Sequence, residues 1–299
     1  MKLIHFMYQG RAQVGFLRKE NDVVCLSPLL EQLALPPIKD MNHLIDRWDD
    51  ELARALAPLV AKAPGDAPAD HIQLLAPIPY PKRHIICLGK NYVDHAKETA
   101  GLTGSTDDLP KFPIYFNKIA QPAIGHGDLI LDHEGLTDKV DYEVELALVI
   151  GKDGINIAPE DAASYIFGYT IINDISARNI QRKHMQWFKG KSLETYCPMG
   201  PAIVTADEFS WPIELDIQCA INGEVRQNSN TRKLIFDIPT ILADLSKGMY
   251  LRRGDIIATG TPAGVGLGFK PFRFLNKGDR IDCSIEGIGT LTNWFGNKE

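Results

Sequence analysis

Two glutamates, Glu143 and Glu145, stand two residues apart where a segment rich in β-forming residues begins. Side chains two apart in a strand point to the same side, so both carboxylates would share one face and repel each other. Water around an exposed face would relieve this repulsion, and so would a cation bound between the carboxylates. Ala147 and Val149 fall on the same face, which makes a water-exposed face the poorer explanation.

A third acid, Asp174, ends an apolar run over residues 165–173 that is typical of a buried strand. A buried carboxylate needs a partner, and three carboxylates together form the kind of oxygen site that Mg²⁺ or Mn²⁺ prefers and zinc does not. Arg178 and Gln181 follow at a spacing of one helical turn. Arg178 could bind a substrate carboxylate or only neutralise the acids, and Gln181 could equally be a surface residue.

His95 and Glu98 are the candidates for proton transfer, because they lie three residues apart in the segment 88–98. On a helical turn the carboxylate can orient the imidazole and make it more basic, which yields a general base able to activate water. An ordinary exposed pair at a helix start is the alternative, and spacing alone favours it. The polar loop over 99–109 could close over a ligand or be a plain surface loop.

Two lysines and a glycine-rich turn complete the candidate chemistry. Lys191, beside Gly190, and Lys118 could each stabilise an enolate or hold a carboxylate, although exposed lysines are the commoner case. Residues 254–266 are typical of a strand entering a glycine-rich turn, which offers backbone N–H groups and the Thr261 hydroxyl to an anion. This turn lacks the signatures of a P-loop and of a dinucleotide-binding fold.

The N-terminal part of the chain predicts a small domain of strands and helices. Its first 28 residues have the pattern of a three-stranded meander. Apolar residues at spacings of three and four predict one helix over 41–62, with Asp40 as its N-cap. A linker-like composition at 63–68 then places a domain boundary near residue 75.

The remaining residues, 76–299, predict a β-rich domain with many loops. Helical patterns are few, and the best of them lie at 159–165 and 238–247. The clearest strand patterns lie at 85–88, 144–150, 166–172, 215–221, 255–259 and 280–285.

Bulk properties exclude several classes of function. The chain of 299 residues has 32 basic and 38 acidic side chains, a net charge of −6. Without basic clusters it is a poor binder of nucleic acid or of anionic membranes. No apolar segment is long enough to span a bilayer and no signal-peptide pattern opens the chain, so we expect a cytoplasmic protein. Five scattered cysteines without a CxxC pair predict reduced, mostly buried thiols.

Several short motifs, taken in order, resemble the fumarylacetoacetate hydrolase superfamily, in its acylpyruvase and oxaloacetate decarboxylase-like branch with an additional N-terminal domain. Each motif is weak by itself, but the ordered set is specific and covers residues 80–295. The motifs are GKNYVDHAKE (89–98), DYEVEL (141–146), GYTIINDISARNIQ (168–181), GKS (190–192), PMGP (198–201) and TGTPAGVG (259–266).

This resemblance implies an α+β, strand-rich fold of the mixed β-roll or sandwich type, usually a homodimer, with bound Mg²⁺ or Mn²⁺. Asn179 stands where many members have Asp, but it lies outside the functional set. The resemblance implies the following functional residues: the metal ligands Glu143, Glu145 and Asp174, the lid dyad His95 and Glu98, the active-site lysine Lys191, and the substrate contacts Arg178, Gln181, Lys118 and Thr261.

The implied reaction cleaves a carbon–carbon bond next to the carbonyl of a small 2-oxo or 2,4-dioxo acid. The acid would chelate the metal, and water activated by His95 and Glu98 would attack the 4-oxo carbon, with Lys191 and Arg178 stabilising negative charge. We expect acylpyruvate hydrolysis of the fumarylpyruvate or acetylpyruvate type. Oxaloacetate decarboxylation, or isomerisation or dehydration of a related oxo acid, remains open because the enolate chemistry is shared. The intact functional set argues against a non-catalytic binding protein.

Overall fold

Strands dominate the fold, which a computed structural model describes for residues 1–18, 22–100 and 109–297. The strands in these ranges are β1 (Lys2–Tyr8), β2 (Arg11–Leu17), β3 (Asp22–Cys25), β4 (Ala67–Pro68), β5 (Gln73–Leu75), β6 (Ile85–Gly89), β7 (Ile114–Lys118), β8 (Leu129–Leu131), β9 (Val140–Asp141), β10 (Val144–Ile150), β11 (Ile166–Asn173), β12 (Ser176–Ala177), β13 (Met199–Thr205), β14 (Asp216–Ile221), β15 (Glu224–Asn230), β16 (Ile256–Ala258), β17 (Arg280–Ile285) and β18 (Gly289–Gly296).

Helices are short and few in the described ranges. None of them has the length and apolar content that crossing a bilayer requires. Short 3₁₀ helices lie at Ala69–His71, Pro159–Tyr165, Ala206–Glu208, Thr231–Lys233 and Gly266–Gly268. The α-helices are α1 (Leu26–Gln32), α2 (Met41–Arg47), α3 (Asp50–Lys62), α4 (Val93–Glu98), α5 (Arg178–Lys183), α6 (Phe188–Lys191) and α7 (Ile238–Ser246).

The main sheet is long and contains strands from between residues 2 and 258 of the chain. Its strand order is β4–β3–β2–β1–β13–β11–β10–β16–β6–β7, with β5 also paired to β1. All neighbours are antiparallel except β16 and β6, which are parallel. A second sheet has the order β15–β14–β17–β18–β8, and β9 pairs with β12. The expected α+β, strand-rich architecture is therefore confirmed.

Strand β10 lies at the centre of the molecule and has no exposed residue. Leu146 and Leu148 pack in the core that includes Ile217 of the second sheet. Val149 points to the opposite side, where the core includes Leu44 of α2. Because side chains alternate along a strand, Glu145 projects on the same side as Val149. A strand covered on both faces explains the nearly continuous apolar run in the sequence.

The N-terminal residues form the expected three-stranded meander, β1 to β3. The helix predicted over 41–62 is wrong as a single helix, because it is divided into α2 and α3. Asp49 begins α3 as an N-cap, since its side chain accepts a hydrogen bond from the backbone N–H of Leu52. Trp48 leaves the helical conformation and packs edge-on against Phe167 of β11, with 5.3 Å between ring centroids. The expected N-cap Asp40 of α2 is confirmed.

Two further predicted helices differ in their outcome. The segment 159–165 is a 3₁₀ helix, and 238–247 contains α7 nearly unchanged. Because β1 pairs with β13, the strands of the first 75 residues continue the main sheet. The domain boundary near residue 75, the homodimer and the cytoplasmic location stay predictions.

Candidate active site

Three carboxylates meet beside the pair of strands β10 and β11. Glu143 immediately precedes β10, Glu145 lies within it, and Asp174 immediately follows β11. The pairing of Val144 with Asn173 fixes the register that brings them together. All three side chains are buried, and one oxygen from each lies within 4.8 Å of the others. Burial removes the alternative of a water-exposed strand face.

Lys191 and Arg178 neutralise Glu143. The Nζ atom of Lys191 lies 2.5 Å from Oε2 of Glu143 and 2.6 Å from Oδ2 of Asp174. Arg178 donates from Nη2 to Oε1 of Glu143 at 2.6 Å and from Nε to Oδ2 of Asp141 at 2.8 Å. Burial alone would raise the pKa of Glu143, but Lys191 and Arg178 lower it to about 2. Glu143 is therefore a carboxylate at neutral pH.

Glu145 has no such partner. Its Oε2 accepts a hydrogen bond from the Gly260 N–H at 2.9 Å, and no lysine or arginine in the described ranges forms an ion pair with it. Burial raises the pKa of Glu145 well above its usual range, and the charges of Asp174 and Glu143 raise it further. A bound cation would offset both effects.

Asp174 gives an independent test of whether a cation fits. Its Oδ1 is buried and makes no hydrogen bond, although Nζ of Lys118 lies 2.8 Å away in an unfavourable direction for one. A buried carboxylate oxygen without a hydrogen bond is costly unless something else coordinates it. The printed ion pairs join three carboxylates, Asp141, Glu143 and Asp174, to three cations, Lys118, Arg178 and Lys191, and Glu145 lies beside this network without an ion pair of its own among the described residues. This donor set suits a hard divalent cation such as Mg²⁺ or Mn²⁺.

The predicted proton-transfer pair, His95 and Glu98, lies on α4. Nδ1 of His95 lies 3.0 Å from Oε1 of Glu98. A carboxylate can only accept here, so Nδ1 carries the hydrogen and Nε2 keeps a free lone pair. His95 is buried at 7% exposure, which removes the alternative of an ordinary exposed pair. Most of the predicted lid, residues 101–108, lies outside the described ranges.

The glycine-rich turn after β16 binds anions, but they are the protein's own carboxylates. Gly260 N–H donates to Glu145, and Gly264 N–H donates to both oxygens of Glu98 at 3.0 Å each. Gly266 N–H donates to Asp141 at 2.6 Å. The prediction that these N–H groups bind an anion is confirmed, but the anions they bind are side chains of the protein. The turn positions the acidic side chains of the site.

A cavity of about 340 Å³ connects most of the predicted residues. Three of the predicted residues do not line the cavity but contact residues that do. Glu98 contacts His95, and both Asp174 and Lys118 contact Lys191. The predicted residues in its lining are His95, Glu143, Glu145, Arg178, Gln181, Lys191 and Thr261.

Lys118 and Thr261 are more constrained than their predicted role of contacting substrate suggests. Lys118 is fully buried beside Asp174 and also donates to the Tyr196 carbonyl at 2.6 Å. The Thr261 hydroxyl donates to the Val144 carbonyl at 2.9 Å and accepts from the Gln227 amide. Lys118 contacts Asp174 from outside the cavity, whereas Thr261 lies in the wall itself.

Asp141, Phe116 and Trp187 also contribute to the site, although no individual role was assigned to them from the sequence. Asp141 binds Arg178 and the turn through Gly266, and its only sequence signal is its place in the acidic segment. Phe116 and Trp187 supply apolar lining, and their rings pack edge to face with centroids 5.3 Å apart. Nothing in their spacing predicts this contact, because they come from separate segments.

Comparisons with known proteins agree with this architecture. The oxaloacetate tautomerase YisK of Bacillus subtilis is 52% identical over 225 residues, which is 75% of this chain and 73% of that protein. A structure of fumarylacetoacetate hydrolase from Exiguobacterium antarcticum matches over 100% of both chains with 40% identity and a TM-score of 0.83. A maleylpyruvate hydrolase from Sphingobium sp. SYK-6, in complex with manganese(II) and pyruvate, matches over 100% of both chains with 29% identity and a TM-score of 0.77.

The family comparison covers most of the molecule. The model of the fumarylacetoacetate (FAA) hydrolase C-terminal family matches residues 84–295, which contain every residue of the cavity lining. The resemblance seen in the ordered motifs is confirmed, and the chain belongs to the fumarylacetoacetate hydrolase family.

Proposed function

We propose that this protein is a divalent-metal-dependent enzyme that interconverts the enol and keto forms of oxaloacetate or of a closely related small 2-oxo acid. The observation that carries the proposal is the cavity in which His95 accompanies the buried cluster of Glu143, Glu145 and Lys191. Its likeness to the oxaloacetate tautomerase YisK supports this choice among the reactions that pass through an enolate.

The metal would be held by Glu143, Glu145 and Asp174. When bound, a divalent cation supplies a Lewis acid that stabilises enolate charge on the substrate. Mg²⁺ and Mn²⁺ are the proposed ions, since the ligands are all carboxylates. The manganese(II) in the related maleylpyruvate hydrolase structure supports the same choice.

Two cations of the chain would hold the anionic substrate. Arg178 and Lys191 line the cavity, and each already contacts Glu143. Gln181 lies beside Arg178, whose Nη1 donates to its Oε1 at 3.2 Å, so the Gln181 amide nitrogen remains a donor for a substrate oxygen. These groups would bind and orient a carboxylate and stabilise negative charge as it develops on the 2-oxo oxygen.

His95 would move the proton. With its Nδ1–H bonded to Glu98, it can accept a proton from C3 of the keto form at Nε2 and pass that proton to the 2-oxo oxygen, which yields the enol. In the reverse direction the same proton moves from the enol oxygen through Nε2 to C3. Glu98 fixes the imidazole tautomer, and Gly264 N–H fixes Glu98. The three groups therefore form a rigid chain from the glycine-rich turn to the reacting carbon.

Acylpyruvate hydrolysis is the second candidate, and it is the activity that the sequence alone favours. The same His95–Glu98 pair could take a proton from water, and the likeness to the maleylpyruvate hydrolase structure supports this reaction. We put tautomerisation first because the identity with YisK is higher than that with the maleylpyruvate hydrolase. Oxaloacetate decarboxylation would use the same enolate stabilisation but needs no base.

The test compares three reactions on one protein preparation. Purified protein with Mg²⁺ or Mn²⁺ is assayed for enol–keto conversion of oxaloacetate, for its decarboxylation, and for hydrolysis of acetylpyruvate and fumarylpyruvate. We expect rapid tautomerisation that is lost in His95→Ala and kept in His71→Ala, an exposed histidine outside the cavity. Hydrolysis without tautomerisation would favour the second candidate, and loss of activity in neither variant would contradict the role of His95.

A further inference from the structure

Trp187 holds an unusual position between the two short helices of the site. It lies in the turn that links α5, which carries Arg178 and Gln181, to α6, which carries Lys191. Every other residue of the segment 182–189 is exposed, whereas Trp187 is half-buried. Its carbonyl accepts a hydrogen bond from the Lys191 N–H at 3.1 Å, which ties its backbone to α6.

The indole ring lies directly on the backbone of Gly89 at the end of β6. A Cβ atom added to Gly89 would lie 2.0 Å from Cζ3 of Trp187 and 2.6 Å from its Cη2. Any side chain at position 89 would thus collide with the ring. On another side the ring packs edge to face on Phe116, with 5.3 Å between centroids. Trp187 is therefore held in one place by two strands, β6 and β7.

Trp187 and Phe116 form the large apolar part of a cavity whose remaining lining is mostly polar. The cations Arg178 and Lys191 suit the carboxylate and 2-oxo end of an oxo acid. The part of the substrate beyond C3 would then extend towards the rest of the lining, which includes Trp187, Phe116 and Lys90. The Nζ atom of Lys191 lies 5.1 Å from the Phe116 ring centre, so the aromatic side chains begin next to the charged groups. A substrate held by the charged groups therefore has room for only a short chain before it meets an aromatic ring.

We propose that Trp187 is a specificity-determining residue that limits the length of the group attached to C3 of the 2-oxo acid. This inference rests on the proposed function in that it requires a 2-oxo acid in this cavity. It does not depend on which reaction follows. The substrate class is thereby narrowed to short 2-oxo acids, with oxaloacetate-sized compounds accepted and long or aromatic acyl groups excluded.

The test measures binding rather than turnover. Affinities of pyruvate, 2-oxobutanoate, 2-oxohexanoate and phenylpyruvate for the Mn²⁺-loaded protein are measured by calorimetry in the wild type and in Trp187→Ala. We expect wild-type affinity to fall with chain length. In Trp187→Ala the affinity for the two longest acids should rise relative to pyruvate by about tenfold or more, the size typical of a pocket that gains room for a methylene group or more.

A second variant keeps the test decisive if Trp187→Ala is unstable. Trp187→Phe should give an intermediate shift, because the smaller ring fills less of the cavity. Phe188→Ala is the matched control, since this neighbouring aromatic residue is 39% exposed and does not line the cavity. It should keep the wild-type order of affinities.

The outcomes separate this inference from the proposed function. An unchanged ratio of long to short ligands in folded Trp187→Ala and Trp187→Phe would overturn the role of Trp187. A shifted ratio in a protein that fails to tautomerise oxaloacetate would support the role of Trp187 and reject the reaction. If no 2-oxo acid bound to any variant or to the wild type, both the inference and the proposed function would be rejected.

Discussion

Lys118 lies with its Nζ 2.8 Å from Oδ1 of Asp174, and both side chains are fully buried. Around the ammonium group, the carbonyl oxygens of Ile175, Lys191 and Tyr196 accept its hydrogen bonds. A cation enclosed in this way cannot reach a substrate without breaking its own contacts. Its geometry supports a positioning role, in which Lys118 sets the orientation of Asp174 and the start of α6.

Replacing Lys118 by Met should therefore destabilise the protein. The substitution keeps the length of the side chain but leaves Asp174 without this ion pair and three buried carbonyls without their donor. Removal of one partner from a buried pair costs about 3–5 kcal/mol in free energy of unfolding. Urea unfolding measures the change, with the exposed Lys111→Met as control. A stability within 1 kcal/mol of the wild type, roughly the effect of an exposed ion pair, would contradict this role.

Glu145→Gln should remove metal binding and leave the fold intact. The amide can still accept from the Gly260 N–H, and it removes a carboxyl group whose charged form is disfavoured by burial and by the charges of Asp174 and Glu143. Added Mn²⁺ should raise the melting temperature of the wild type, since a concentration of a hundred times Kd stabilises by about 2.7 kcal/mol. The variant should fold and show little or no increase.

Glu160→Gln, at an exposed position, serves as the control for that experiment and should respond to Mn²⁺ as the wild type does. If Glu145→Gln retained the full metal-induced increase in melting temperature, the ion would have to bind elsewhere.

The contact between His95 and Glu98 predicts strong coupling in activity. Glu98→Gln keeps an acceptor for the Gly264 N–H but loses the charge that orients the imidazole, so kcat should fall by about 10²-fold, at the lower end of the effect of a general acid–base group. His95→Ala should lose more. The double variant should be no worse than His95→Ala, because Glu98 acts only through His95. Additive losses in the double variant would show an independent role for Glu98.

The five cysteines should be unreactive in the folded protein. All are free and buried. Burial raises the pKa of Cys197 to about 12, and burial together with Asp66 raises that of Cys25 to about 12. The thiolate is the reactive form, so a raised pKa means that little of it is present at pH 8 and that reaction accelerates as the pH rises. Ellman's reagent should detect almost no thiol in native protein and all five after denaturation. Rapid native labelling of even one cysteine would contradict this expectation.

The strands of the site could be predicted from the sequence, because local hydrophobic patterns indicate that they are buried. The apolar run before Asp174 and the Glu-x-Glu pair ahead of an apolar strand identify β11 and β10 directly. The spacing of His95 and Glu98 is that of one helical turn, and α4 supplies it. Each of these features depends on neighbours along the chain.

Other features could not be predicted, because they depend on contacts between distant segments. The carbonyl groups around Lys118 come from residues 175, 191 and 196, and the partner of the Gly264 N–H lies 166 residues away at Glu98. The division of the helix at Trp48 depends on packing against Phe167, while the apolar spacing runs through the break. Local patterns identified the acids and Arg178, but not the distant backbone groups that bind Lys118 and Glu98.

The most direct test of the metal centre is a crystal of the protein grown with Mn²⁺ and oxalate, a stable mimic of the chelating end of a 2-oxo acid, with anomalous diffraction data. We expect one strong manganese peak in contact with carboxylate oxygens of Glu143, Glu145 and Asp174, with oxalate bound to the ion and near Arg178. A structure without a peak at these three residues, or with manganese bound only elsewhere, would contradict the account.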